Sequence, residues 1–200
     1  MPKRQVFQFR ISLKGINPSI WRRIQVPDRY TFWDLHVAIQ DAMGWLDYHL
    51  HVFRVRNPET GRLDEIGIPQ EDSFDGDRVF LPGWEVLLSA YFRAPGNTSG
   101  YEYDFGDSWK HEILFEGIRD RVRGTKYPIC LEGARACPPE DCGGTFGYKG
   151  LLEVLFNPSH ENYKSMHEWV GANYEPEAFD PAGIRFDNPK KRWKAAFRGD

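Results

Sequence analysis

Between Tyr101 and His111 the chain reads YEYDFGDSWKH, which sets Asp104, Asp107 and His111 among Tyr103, Phe105 and Trp109. Carboxylates and an imidazole at this density could do general acid–base work or ligate a metal, if further groups a few ångströms away complete the site. A second segment, PPEDCGG from Pro138 to Gly144, supplies Glu140 and Asp141. Hydrolytic chemistry would require the two segments to meet, because acid and base act only when they converge on one reacting atom. The candidate binding site is therefore Tyr103, Asp104, Asp107, Trp109, His111, Glu140 and Asp141, with no residue assigned a catalytic role.

Cys130, Cys137 and Cys142, with His111 or Asp141 as a fourth ligand, could hold zinc. Six and four residues separate the successive cysteines and no C-x-x-C pair occurs. Reduced thiols packed as small apolar groups are the better reading, and no cofactor is expected. CGGTFGYKG leads into a helix whose N-terminus could take an anion, but it lacks the Lys-Ser/Thr ending of a phosphate loop, so the glycines are read as shaping a tight helix entry. His49 and His51 lie two apart in an expected strand and would share a face that Phe53 and Val55 continue toward the core, which favours a sheet-edge cluster over a metal site. DFG is not a kinase motif here, since the chain has no HRD catalytic loop and too little length for two lobes. No HExxH or G-x-S-x-G pattern occurs.

The elements that would carry these residues are legible in outline. Phe7, Phe9, Ile11 and Leu13 alternate with polar residues, and after the turn residues of KGINPS the pattern resumes through Ile20, Ile24 and Val26, giving a hairpin. Thr31 with Asp34 reads as a capping box opening a helix, and Gly44 marks its end. HLHVFRV, from His49, reads as a third strand. Residues 57–80 read as a loop with an acidic patch, EDSFDGD, whose spacing does not fit a calcium loop. PGWEVLLSAYF reads as a short helix. YEYDF and WKHEILFEG form a second hairpin; a turn centred on Asp107 would pair Phe105 with Trp109, Tyr103 with His111 and Asp104 with Lys110. Helices close the chain, with Phe156 and Trp169 expected on buried faces and Trp193 and Phe197 turned inward from a basic last helix. The fold class is α+β, in two small mixed β-sheet/helix halves. These are a β-β-α-β half at about residues 1–56 and a hairpin-plus-helices half at about 81–200, within a single 1–200 domain.

With 200 residues and a 40% hydrophobic fraction the chain can bury a core without staples. No apolar run approaches the ~18 residues that span a bilayer, and the N-terminus lacks the apolar stretch of a signal peptide; three cysteines, an odd count, argue for reduced thiols. A cytoplasmic protein without membrane contact is expected. The net charge of −3 disfavours nucleic acid. Basic clusters at Trp21 to Arg23, Arg119 to Lys126 and Asn188 to Gly199 keep it open, though such runs are usually solvated faces.

YEYDFGDSWKHEI, followed by YPICLEG, CPPEDCGGTFGY and FNPSHENY, resembles the plasmid ORF-three-like family, named for a root-inducing (Ri) plasmid. FRISLKGINPSIWRRIQVP, TFWDLHVAIQDAMGW and HLHVF extend the resemblance over about Phe7 to Asp180. It implies an α+β fold with two β-containing halves and brings no activity with it. Some relatives carry the label of transposon resolvases or insertion-element passengers, but this chain has no N-terminal arginine-serine catalytic pattern and opens on a hairpin. The positions that carry the resemblance are Tyr103, Asp104, Phe105, Gly106, Asp107, Trp109 and His111, then Pro138 to Gly144. The expected function is a non-enzymatic binding or adaptor domain, with a protein partner open and a link to mobile elements. The alternatives are a metal-assisted hydrolase or nuclease-like enzyme joining the two motif segments, and a nucleic-acid binder using the basic C-terminal helix.

Overall fold

The computed structural model describes residues 4–69, 80–171 and 173–198. Its frame is a mixed sheet of eight strands among the described residues: β1 (Gln5–Leu13), β2 (Trp21–Pro27), β3 (His51–Arg56), β4 (Leu63–Gly67), β5 (Phe80–Pro82), β6 (Thr98–Tyr103), β7 (Trp109–Asp120) and β8 (Ile129–Ala134). Their order is β5-β4-β3-β6-β7-β1-β2-β8, antiparallel except where β4 meets β5. Four α-helices accompany it among the described residues: α1 (Phe32–Met43), α2 (Gly144–Leu155), α3 (Tyr163–Val170) and α4 (Pro189–Arg198).

Strand alternation decides which face is covered. Phe7, Phe9, Ile11, Ile24, Val26, Phe53, Tyr101, Tyr103, Trp109, Ile113 and Phe115 are buried in one core with α1 residues Phe32, Leu35, Ile39 and Met43. Phe9 lies between Phe92 and Phe115, with ring centroids 4.9 and 5.3 Å away. Residues between the buried ones form cross-strand ion pairs instead: Arg23 with Glu116 at 2.7 Å and Arg54 with Glu65 at 2.7 Å.

Helix α1 starts on the expected capping box. Thr31 Oγ1 accepts from the Asp34 N–H at 3.2 Å, and Asp34 Oδ2 accepts from the Thr31 N–H at 3.0 Å. It stops at Gly44, whose φ of 92° is left-handed. The orphan carbonyl of Ala42 is met by Arg22 Nε at 2.9 Å, while Arg22 Nη1 donates to the carbonyls of Trp21 and Ala134. Phe179 stacks on the guanidinium at 3.8 Å. The WRR cluster is thus no solvated face: Arg22 is buried and Arg23 is paired.

The α+β class and the β-β-α-β opening hold, but both portions contribute strands to one sheet, since β3 pairs with β6. Residues 57–80 contain β4 and the start of β5 rather than loop alone, and PGWEVLLSAYF holds only a 3-10 turn at Leu88–Ala90. The patch EDSFDGD lies outside the described residues. Phe156 and Trp169 are exposed, not packed. The second hairpin pairs Tyr103 with Trp109, Tyr101 with His111 and Glu102 with Lys110. That is two residues off the expected register, because Asp104 and Ser108 both adopt left-handed backbone (φ 56° and 55°) and widen the turn. The shift is even, so each side chain keeps its face.

One consequence falls on His111, which lies fully buried against Trp45 and Tyr101 with Nδ1 3.1 Å from the Trp109 carbonyl. Burial pushes it down from an ordinary 6.5 to about 4. A depressed imidazole stabilises the fold fully above pH 6.5, and that contribution, about 3 kcal/mol at most, is lost as pH falls toward 4. Chemical denaturation between pH 7 and 4 should show this loss. His111→Asn, which keeps a donor toward the Trp109 carbonyl, should be less stable at pH 7 but show a shallower fall; an unchanged slope would exclude His111 as its source.

Candidate functional site

The two motif segments meet at the tip of the β6–β7 hairpin. Asp107 Oδ2 accepts from the Gly143 N–H at 3.1 Å, at the N-terminus of α2. The helix entry, read as a tight turn shaped by glycines, thus has one of its N–H groups met by a carboxylate from within the chain. Glu140 Oε1 accepts from the Leu46 N–H at 2.8 Å and from the Tyr103 hydroxyl at 3.1 Å. Tyr103 accepts in turn from the Tyr48 N–H at 3.1 Å. Burial and the Glu140 carboxylate hold the Tyr103 hydroxyl well above the ordinary phenol range, so it stays a donor. The loop before α2 is fixed further by Trp45 Nε1 donating to the Pro138 carbonyl at 3.0 Å and by the Tyr174 hydroxyl donating to the Cys137 carbonyl at 3.0 Å.

These contacts gather three carboxylates around His49. Its Nε2 lies 3.1 Å from Asp141 Oδ1, 3.7 Å from Asp104 Oδ2 and 3.9 Å from Glu140 Oε2. The Nε2 atom is shielded from solvent and has no hydrogen-bond partner of acceptable geometry. Asp104 is buried, its Oδ1 accepting from the Gly106 N–H at 2.9 Å. Asp104 and Asp141 both adopt left-handed backbone with φ of 56°, a conformation that Asp tolerates better than most residues. No arginine or lysine forms an ion pair with Asp104, Glu140 or Asp141 among the described residues. One ligand atom each from His49, Asp104 and Asp141 lies within 4.8 Å of the others.

The candidate residues divide accordingly. Tyr103, Asp104, Glu140 and Asp141 belong to the cluster. Asp107 stands beside it, spent on the α2 entry. Trp109 and His111 do not belong: strand alternation turns both into the core, where Trp45 packs on them. Among the described residues Cys130, Cys137, Cys142 and His111 form no group with metal-ligand geometry. The thiols are free, and burial raises all three, Cys142 to about 12, so they stay protonated. His49 is the residue missed by pairing it with His51. It precedes β3 and turns to the cluster, whereas His51 lies in the core, stacked on His36 at 3.5 Å. The clue was position: a histidine ahead of a strand is not bound by the strand's alternation.

A central hairpin whose tip meets a glycine-rich helix entry, with a histidine and three carboxylates at the junction, defines a class of α+β proteins built on one broad sheet. The chain belongs to the plasmid pRiA4b ORF-3-like protein family, whose profile matches residues 5–183. It is 36% identical over 187 residues to "Uncharacterized protein y4hQ" of Sinorhizobium fredii (strain NBRC 101917 / NGR234), spanning 93% of this chain and 89% of that protein. It is also similar to the crystal structure of a protein of unknown function, MM3350, from Methanosarcina mazei Go1. That likeness has a TM-score of 0.84 and 44% identity, and it covers 92% of this chain and 99% of that one.

The junction depends on two glycines. A Cβ on Gly144 would stand 2.4 Å from the Asp107 carbonyl oxygen, at a φ of +66°, and one on Gly147 would stand 1.9 Å from the Cys142 carbonyl oxygen. Gly144→Ala should therefore cost about 1–3 kcal/mol, visible as a drop in Tm. Gly150→Ala, on the same helix with open space around it, should be neutral or stabilising. Equal melting of the two variants would show that the hairpin tip does not rest on Gly144.

Proposed function

We propose that the protein binds a divalent cation through His49, Asp104 and Asp141, with Glu140 held alongside. The observation that carries this reading is His49 Nε2, shielded from solvent, without a hydrogen bond, and faced by three carboxylates at 3.1 to 3.9 Å. Carboxylates this close repel one another, and a cation between them would relieve that repulsion. One imidazole with hard oxygens suits Mn²⁺ or Zn²⁺ better than the all-oxygen preference of Ca²⁺. A cation bound here would supply Lewis acidity and an activated water, which supports metal-assisted hydrolysis as the reaction type. Glu140 is then the carboxylate placed to move a proton. Its Oε1 is fixed by Leu46 and Tyr103, and its Oε2, 3.4 Å from the Tyr103 hydroxyl, lies 3.9 Å from His49 Nε2.

The binding or adaptor reading is supported by a different observation. Leu46, Tyr48, Leu50, Phe105 and Phe146 are exposed on the very segments that build the junction, Phe146 at 89%. Exposed apolar side chains gathered near a polar site are a common mark of interaction surfaces. The plasmid in the family's description supports a link to mobile elements. Free thiols support a cytoplasmic location, and no described helix is long and apolar enough to cross a membrane.

Calorimetric titration with Mn²⁺ and Zn²⁺ tests the cation. One equivalent should bind, and His49→Ala or Asp104→Asn should weaken it at least tenfold, since each removes a direct ligand, with circular dichroism showing that the variants stay folded. No binding to the parent protein, or equal binding to His49→Ala, would overturn the proposal. Turnover of chromogenic phosphodiesters and esters by the loaded protein separates the two readings: hydrolysis lost in Glu140→Gln supports the enzyme, and binding without turnover supports the adaptor.

A further inference from the structure

A second feature lies away from the His49 cluster, where α4 docks against α1. Arg192 anchors the helix, with Nη2 2.7 Å from Asp41 Oδ1 and Nη1 3.6 Å from Asp47 Oδ2. Trp33 Nε1 adds a bond to the Pro189 carbonyl at 3.0 Å. A cavity of about 300 Å³ remains beside the docked helix, lined by Trp33, Trp84 and Trp193 with Lys190, Lys194 and Arg198. Phe197 packs among the three indoles at 5.2 to 5.5 Å.

The lining is two-sided in chemistry. Lys190, Lys194 and Arg198 recur every four residues, so they form one row along α4, about 12 Å long. The three are exposed, and none forms an ion pair among the described residues. Asp34, the one carboxylate in the wall, is already spent on the α1 capping box. Next to the cationic row stand the indoles, with Trp193 Nε1 shielded from solvent and lacking an acceptor. Arg198 lies 5.3 Å over the Trp193 ring.

We propose that this cavity binds a nucleobase–phosphate unit, its base against the indoles and its phosphates along Lys190, Lys194 and Arg198. The volume falls in the range of small-ligand pockets. An indole face suits any base, whatever its identity. A cationic row of this length exceeds one phosphate and matches either the tail of a nucleoside triphosphate or successive phosphates of a single strand. The helix that completes the cavity lies beyond residues 5–183, the part of the chain that the family profile matches. The cavity shares no lining residue with the cluster around His49, and binding in it does not require a cation there.

Calorimetry with ATP, AMP, adenosine and inorganic tripolyphosphate, and anisotropy with a labelled single-stranded oligothymidylate, test it at about 50 mM salt, where phosphate contacts are strongest. ATP or the oligonucleotide should bind more tightly than adenosine or tripolyphosphate. Lys194→Glu with Arg198→Glu, both on the exposed side of α4, should weaken binding about tenfold or more, and Trp193→Ala about tenfold. Preference for the strand over ATP identifies single-stranded nucleic acid as the source, and the reverse identifies a free nucleotide; either supports the proposal. No binding by any nucleotide, tripolyphosphate binding as tightly as ATP, or binding unchanged in the double variant would overturn it. Repeating the titration with His49→Ala, which should bind as the parent does, keeps a failure here distinct from a failure at the cation cluster.

Discussion

The carboxylate of Glu140 is gripped by donors from two remote parts of the chain, the Leu46 backbone after α1 and the Tyr103 hydroxyl at the end of β6. Most of the junction follows from that grip. It brings the loop before α2 down onto the hairpin, so that the Gly143 N–H reaches Asp107 and Asp141 reaches His49. A charge-assisted bond of this kind is strong only where water is kept away. The Tyr103 half of the grip is the shielded one, with Trp45 stacked on the Tyr103 ring at 5.1 Å, while the Leu46 half lies open to solvent. The polar junction thus rests on the aromatic core, and the core's position is set by the alternation of β6 and β7.

The same logic explains how much could be read before the fold was seen. The β1–β2 hairpin and α1 are local objects, written in alternation, a capping box and a terminal glycine, and they form where expected. The hairpin register is local too, but it turns on Asp104 and Ser108 adopting left-handed backbone, which neither residue type announces as glycine would. β4 and β5 are short, and their pairing depends on β3, itself placed by β6, so nothing nearby marks them. Arg22 looked like surface charge because its partners are main-chain carbonyls of Ala42 and Ala134, invisible to any reading of side-chain types.

The junction was legible in half. The two motif segments carry the carboxylates, and the chemistry of Asp104, Glu140 and Asp141 was visible in their composition. The imidazole was sought in the wrong place. His111 sits within the hairpin and looked like the natural partner, yet its strand parity sends it inward. His49 reaches the cluster because β3 starts only at His51, leaving the preceding residues free of the pleat. A strand boundary misplaced by two residues is enough to exchange a core histidine for a site histidine.

Asp47 gives the docking of α4 a wider meaning. One of its oxygens lies 2.7 Å from His36 Nε2 and the other faces Arg192, and it stands two residues before His49 in the chain. The segment that presents His49 is thus tethered at one end to the C-terminal helix. Any molecule that binds only the docked arrangement of α4 adds its binding free energy to that tether, and thermodynamic linkage makes the effect reciprocal. In this architecture a tail helix serves as a doorstop: what holds it in place also holds the segment that carries the histidine.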